Sequence, residues 1–194
     1  NTRQVLSLLG SYEIRDDLTL LVGGENTRDN VHTAEAASPF INGSSDIKYH
    51  SNALFSQLEW ESETFSLAVG ARYENHSAFD PAFVPRLAAT KQMGAWHVKT
   101  LYSQAYRNPS IENINGFDYV NYKLKPEKTN DLELEGGYQY SRDGLLTLDV
   151  FDTRITDAII YVSATDSYIT APKLGTRGFE LEHHYRRSWG FSNL

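Results

Sequence analysis

Two runs of the chain place carboxylates at every second position. Asp131, Glu133 and Glu135 do so within 130–140, and Glu180 and Glu182, followed by His184, do so within 177–186. Paired carboxylates are the material of general acid–base chemistry and of glycoside hydrolysis, which needs two acids across a cleft with one pKa shifted. No spacing here sets these acids across a cleft from one another. Residues i and i+2 of a strand share a face, so the acids read as polar ladders on a hydrated wall. The pair His183-His184 invites a metal reading, but consecutive strand residues point to opposite faces, so the two rings cannot chelate one ion unaided. There is no Gly-rich phosphate loop, serine nucleophile elbow or metalloprotease helix. The expectation is therefore no catalytic residue, no metal site and no cofactor. The richest binding chemistry lies in 108–129, with Phe117, Tyr119, Tyr122 and Lys123, and Lys125 beyond them. Aromatic rings with cations can grip a planar, anionic chelate by stacking and charge. The plain alternative is an ordinary packed loop.

The elements that must position these residues are strands. From Asn130 to Tyr140, even positions carry Leu132, Leu134, Gly136, Tyr138 and Tyr140, while odd positions carry the acids, Gly137 and Gln139. The pattern recurs with Phe179, Leu181, His183 and Tyr185 against Glu180, Glu182 and His184. Ten-residue alternation ending in aromatic residues is what a membrane-spanning barrel strand requires. The same two-residue period predicts strands over about 4–14, 18–30, 49–61, 65–76, 83–91, 95–107, 130–141, 145–161 and 176–187, with a tenth from about Phe191 and no competing helix. Alternation weakens after Val150, and a phase change is expected near Phe151, from a bulge or from the edge of the membrane. Connections alternate between tight turns and long loops, the latter at about 31–48, 77–82, 108–129 and 162–175. That asymmetry is typical of outer-membrane barrels, with tight periplasmic turns and extended extracellular loops. The expectation is an all-β, antiparallel transmembrane barrel, present in part, with residues 1–194 as one domain.

Composition is compatible with this and excludes other classes. The mean hydropathy of −0.47 and the lack of an apolar run near eighteen residues exclude a helical membrane protein but not a barrel. A net charge of −7 without clustered Lys and Arg argues against nucleic acid as a partner. The absence of Cys removes disulfides and thiolate chemistry together. Asn1 to Gln4 lead straight into strand-like sequence without the charged and apolar regions of a signal peptide, so the chain reads as cytoplasmic or as an internal piece. Open sheet edges cannot survive in hydrocarbon, which favours the internal piece, with flanking strands elsewhere.

Several segments then resemble the TonB-dependent outer-membrane receptors. Tyr102-Ser103-Gln104-Ala105-Tyr106-Arg107-Asn108-Pro109-Ser110-Ile111 and Leu124-Lys125-Pro126-Glu127 are similar to that family's motifs, as are Val84-Pro85-Arg86-Leu87-Ala88, Phe151 to Ile159 and Gly175 to Glu182. They fall in the family's order over about 65–190. The resemblance implies a barrel of about 22 strands with a plugged lumen, a location in the bacterial outer membrane, and import of a scarce ligand such as a ferric siderophore. It also implies outer-membrane lipid as surroundings and a TonB-type energy-coupling partner acting through a plug. The plug, the coupling box and the C-terminal aromatic strand have no counterpart in this sequence. Two rival classes are a passive porin or adhesin barrel and a soluble carbohydrate-binding β-sandwich, whose apolar faces would pack inward.

Overall fold

The computed structural model describes residues 1–33, 40, 44–115, 124–187 and 190–193. Ten strands follow in chain order: β1 Thr2–Arg15, β2 Leu18–His32, β3 Asp46–Glu61, β4 Phe65–His76, β5 Ala82–Met93, β6 Trp96–Arg107, β7 Glu127–Ser141, β8 Gly144–Val162, β9 Ser167–Arg187 and β10 Gly190–Asn193. They form one sheet in the same order, each antiparallel to the next. A meander without crossovers is the connectivity of an up-and-down barrel wall. It is not the two-sheet packing of a sandwich.

Register decides the faces, because residues paired across strands share one. Leu134 pairs with Thr100 and Val150, and Val150 with Phe179. Leu54 pairs with Gly24 and Tyr73. One apolar surface thus crosses the sheet, and it is open: Leu8 is 79%, Phe179 74% and Leu134 53% exposed. The alternation of β7 and β9 therefore sorts their residues as the sequence suggested. Among the described residues, the buried apolar side chains are only Ile47, Ala53, Ala82, Leu124 and Ala158. Among the described residues no layer covers the apolar face, which in water would be an aggregation surface and in a bilayer is the surface that lipid covers.

The tight-turn rim of that face carries the aromatic rings. Trp96 stacks on Tyr138 with centroids 4.3 Å apart, Trp60 meets Phe65 at 5.4 Å, and Tyr140 stacks on His183 at 5.8 Å. The Trp60 indole N–H donates to Asp17 in the first turn at 2.9 Å. This is the arrangement of an interfacial girdle, apolar on one side and hydrogen-bonded on the other. Gly94, at φ +62°, makes the two-residue turn between β5 and β6 possible.

Three expectations need correction. Residues 162–175 are mostly strand: β8 runs to Val162 and β9 begins at Ser167, with Ile160 paired to Ile169 and Tyr161 to Tyr168. Crossing hydrocarbon takes about 9–11 tilted residues, and these strands of 19 and 21 residues are about twice that length. Second, alternation does not change phase at Phe151, which stays on the face of Glu133 and Gly178. Asp152 keeps the outward face where the apolar belt ends, and the irregularity lies at Asp157, left unpaired at φ +56° between Thr156 and Ala158. Third, a helical turn α1, Ile111–Asn115, opens the connection after β6. Ser110 caps it: its Oγ accepts from the Asn113 amide at 3.1 Å while Asn113 Oδ1 accepts from the Ser110 amide at 2.9 Å.

Candidate functional site: the concave polar face

Residues with the parity of Glu133 line the other face, where side chains from distant strands converge. Arg3 of β1, His76 of β4, Arg107 of β6 and Glu112 of α1 border a single cleft, so this face is concave.

Toward the tight-turn rim, a cleft of about 740 Å³ is lined by Lys99, Glu133, Glu135, Asp149, Glu180 and Glu182, among others. The acids of β7 and β9 thus share one wall, as their spacing required. Glu135 is held by two neighbours: His97 Nε2 lies 2.7 Å and Lys99 Nζ 2.8 Å from its Oε1. His97 reaches that position by lying on Gly137, where a Cβ would come within 2.0 Å of the ring. Among the described residues, no ion pair reaches Glu133, Asp149 or Glu180.

Higher on the wall, Arg72 is held from two sides, 2.8 Å from Glu25 and 2.9 Å from Glu74. Its guanidinium sits 5.7 Å from the centroid of Phe55, a cation–π geometry. Phe55 in turn lies on Gly23, where a Cβ would fall 2.3 Å from its ring. Tyr106 comes close to this pair from β6. No sequence spacing links these residues, since β2, β4 and β6 meet here only through the register.

At the long-connection rim, a cleft of about 1060 Å³ is lined by Arg3, Asp29, Tyr49, His76, Arg107 and Glu112, among others. Arg3 makes two bonds to Asp29, at 2.6 and 2.9 Å. Tyr49, His76 and Phe79 form a ring cluster, with His76 centred 5.6 Å from Tyr49 and 4.9 Å from Phe79. Arg107 is paired with Glu127, whose other oxygen accepts from the Ile159 amide at 2.6 Å. Glu127 therefore ties β6, β7 and the irregular part of β8 together. β7 begins directly after Pro126, where a residue without an amide donor suits strand entry. Tyr168 donates to Glu112 at 3.4 Å, so α1 touches the first half of β9. At that hairpin's tip the Tyr161 hydroxyl donates to Asp166 at 2.6 Å, and this bond raises the phenol above its ordinary pKa.

Phe117, Tyr119, Tyr122 and Lys123 lie outside the described residues; the segment that holds them starts from α1, at the rim cleft. His183 and His184 point to opposite faces, as expected: His183 bonds Tyr140 on the apolar face, and His184 pairs with Glu182 at 2.7 Å on the concave one. Among the described residues, no group of three His, Cys, Asp or Glu could hold a metal ion. What the concave face offers is a wall of fixed charges open to a large solute. Arg72, Glu112 and Glu127 were not legible as site residues; the one local signal for the helical turn that carries Glu112, the spacing of Ser110 and Asn113, was not read as a cap.

A family model described as TonB dependent receptor-like, beta-barrel, matches residues 2–194. No curated protein matches the chain. Solved structures share its fold. The siderophore receptor PirA from Pseudomonas aeruginosa superposes with a TM-score of 0.73 at 21% identity, over 94% of this chain and 36% of its own. A mutant of the ferric enterobactin receptor from Pseudomonas aeruginosa gives 0.73 at 17%, over 94% and 33%. The FrpB iron transporter from Neisseria meningitidis gives 0.70 at 14%, over 96% and 34%. The chain thus spans about a third of the length of these proteins.

Proposed function

The chain belongs to the TonB-dependent receptor β-barrel family, and from that premise we propose that it forms ten strands of a barrel that imports a ferric siderophore across the outer membrane. That family is one of transport receptors in the outer membrane, not of enzymes. The observation that carries the reading is the two-faced sheet: an open apolar belt with an aromatic girdle backs onto a concave wall of fixed charges. Such a wall suits a hydrated lumen that takes a plug supplied by the rest of the parent protein. The siderophore assignment draws on the solved receptors of like fold, which include siderophore and ferric enterobactin receptors. In this reading the long connections face outward, and Phe117, Tyr119, Tyr122 and Lys123 grip the chelate above the rim cleft. Energy comes from a TonB-type inner-membrane partner.

Uptake of radiolabelled iron by cells carrying the parent gene tests this, with purified siderophores as iron source. Loss of uptake on gene deletion, and on collapse of the proton-motive force, is the expected outcome. Uptake that persists after that collapse would turn the reading to a passive barrel. Deleting 115–122 is expected to weaken binding while leaving heat-modifiable gel mobility unchanged, because loops on a rigid scaffold carry recognition and tolerate shortening. Unchanged affinity would remove Phe117, Tyr119 and Tyr122 from the site.

A further inference from the structure

The sheet sorts its acids by face. Among acidic residues with a register partner, only Asp46 and Asp152 lie on the convex, apolar face. Basic residues stand on both faces: Arg3, Arg72, Lys99 and Arg107 are on the concave one with the acids, while Arg28, Lys48, Lys128, Arg154, Lys173 and Arg177 are on the convex face, toward the long-connection rim.

On β7, β8 and β9 they form a compact patch. Leu134, Val150 and Phe179 make the last wholly apolar row. The next rows toward the long connections are Leu132, Asp152 and Arg177, then Asn130, Arg154 and Gly175, then Lys128, Thr156 and Lys173. Same-face rows lie about 7 Å apart and strands about 4.8 Å, so four cations occupy an area about 14 Å high and 10 Å wide. Asp152 is the acid among them, and Arg154 takes both its oxygens at 2.7 Å. Lys128, Lys173 and Arg177 are exposed and make no ion pair within the described residues. On β2 and β3 the same order repeats: above the apolar belt come Asn26 and Asn52, bonded to each other at 2.8 Å, then Arg28 and His50, then Lys48.

Cations just above a hydrocarbon belt, in a chain of net charge −7, stand at the depth of lipid phosphates, where each contributes favourable attraction to anionic head groups. We propose that Lys128, Lys173 and Arg177, with Arg154 held beside them by Asp152, bind the phosphate groups of a phosphorylated outer-leaflet glycolipid. This rests on the outward orientation of the long connections. Three strands present the cations as a fixed array, with Asn130 beside them as a neutral hydrogen-bonding group for the glycolipid's sugar hydroxyls.

The test uses the parent protein extracted from membranes in detergent, with diphosphoryl lipid A, fully dephosphorylated lipid A and inorganic phosphate as separate probes. Diphosphoryl lipid A is expected to bind, and the triple variant K128Q/K173Q/R177Q to bind it on the order of a hundredfold more weakly, at about fivefold per charge. Lys91→Gln, on the same face at the opposite rim, should change nothing. Equal binding by the triple variant, or equal binding of the dephosphorylated lipid, would overturn the proposal. Competition by millimolar inorganic phosphate would do so as well, by pointing to a free-anion site. If the triple variant loses its heat-modifiable folded band, Lys128→Gln and Lys173→Gln singly give the reading, each expected at about fivefold. A parent protein absent from the membrane fraction would instead defeat the orientation on which the patch depends.

Discussion

A single side chain's face is set by parity alone, which makes neighbouring residues a sharp contrast. Leu134 is half exposed on the apolar belt and Glu133 lines the cleft behind it. Leu134→Arg in the parent protein should cost about 2–4 kcal/mol of folding stability in vesicles, as charged residues do near the bilayer midplane. Glu133→Gln should cost little. Equal losses in urea titrations of the two variants would mean the faces are reversed. The glycines give a second contrast. A Cβ at Gly23 would overlap the Phe55 ring and come 2.7 Å from the Leu8 carbonyl, whereas one at Gly136 meets nothing within 4 Å. Gly23→Val should therefore lose about 1–3 kcal/mol through overpacking, displacing Phe55 from under Arg72. Gly136→Val should be neutral or slightly stabilising, since a β-branched residue there faces open space on a strand. The same titration ranks the two, and a larger loss at Gly136 would contradict the packing.

At the scale of elements, what was legible in the sequence followed from local rules, and what was missed followed from distant contacts. The alternation of Leu132 to Tyr140 placed the faces, and the short breaks between predicted strands placed the hairpins, because a two-residue period and a tight turn are properties of adjacent residues. The first half of β9 was read as loop because Thr165, Asp166 and Ser167 interrupt the period, while the pairing of Ile169 with Ile160 is visible only in the register. The rim cleft was hidden for the same reason: Arg3, His76 and Glu112 are far apart in sequence and meet through curvature. Glu127 illustrates the cost of such a tie. It accepts both Arg107 and the Ile159 amide, beside the irregularity at Asp157. Glu127→Ala would leave that amide unpaired in a half-buried place, at about 1–3 kcal/mol, and its hydrogen exchange should accelerate. Glu127→Gln keeps an acceptor oxygen and should restore most of the protection. Equal exchange in both variants would show that the Ile159 amide does not depend on this side chain.

For the whole molecule, the decisive quantity is the edge. Every interior strand of the meander spends its amides and carbonyls on two neighbours, while β1 and β10 each have one neighbour within this chain. An unpaired strand edge in hydrocarbon leaves polar groups unsatisfied at several kcal/mol each, which exceeds what a few lipid-facing side chains return. The apolar belt and the edges therefore pull in opposite directions: the belt drives the sheet into a bilayer, and the edges forbid it to remain there open. Closure by further strands resolves the conflict, which is why a sheet of this kind is stable as an arc of a larger barrel. Refolded alone into lipid vesicles, the 194-residue chain should give no heat-modifiable band and should associate into pairs or aggregates through β1 and the β9–β10 edge, while the parent protein refolded in parallel gives a compact, protease-resistant monomer. A protease-resistant monomer from the 194-residue chain would mean that these ten strands close on themselves, and the arc would have to be redrawn as a complete small barrel.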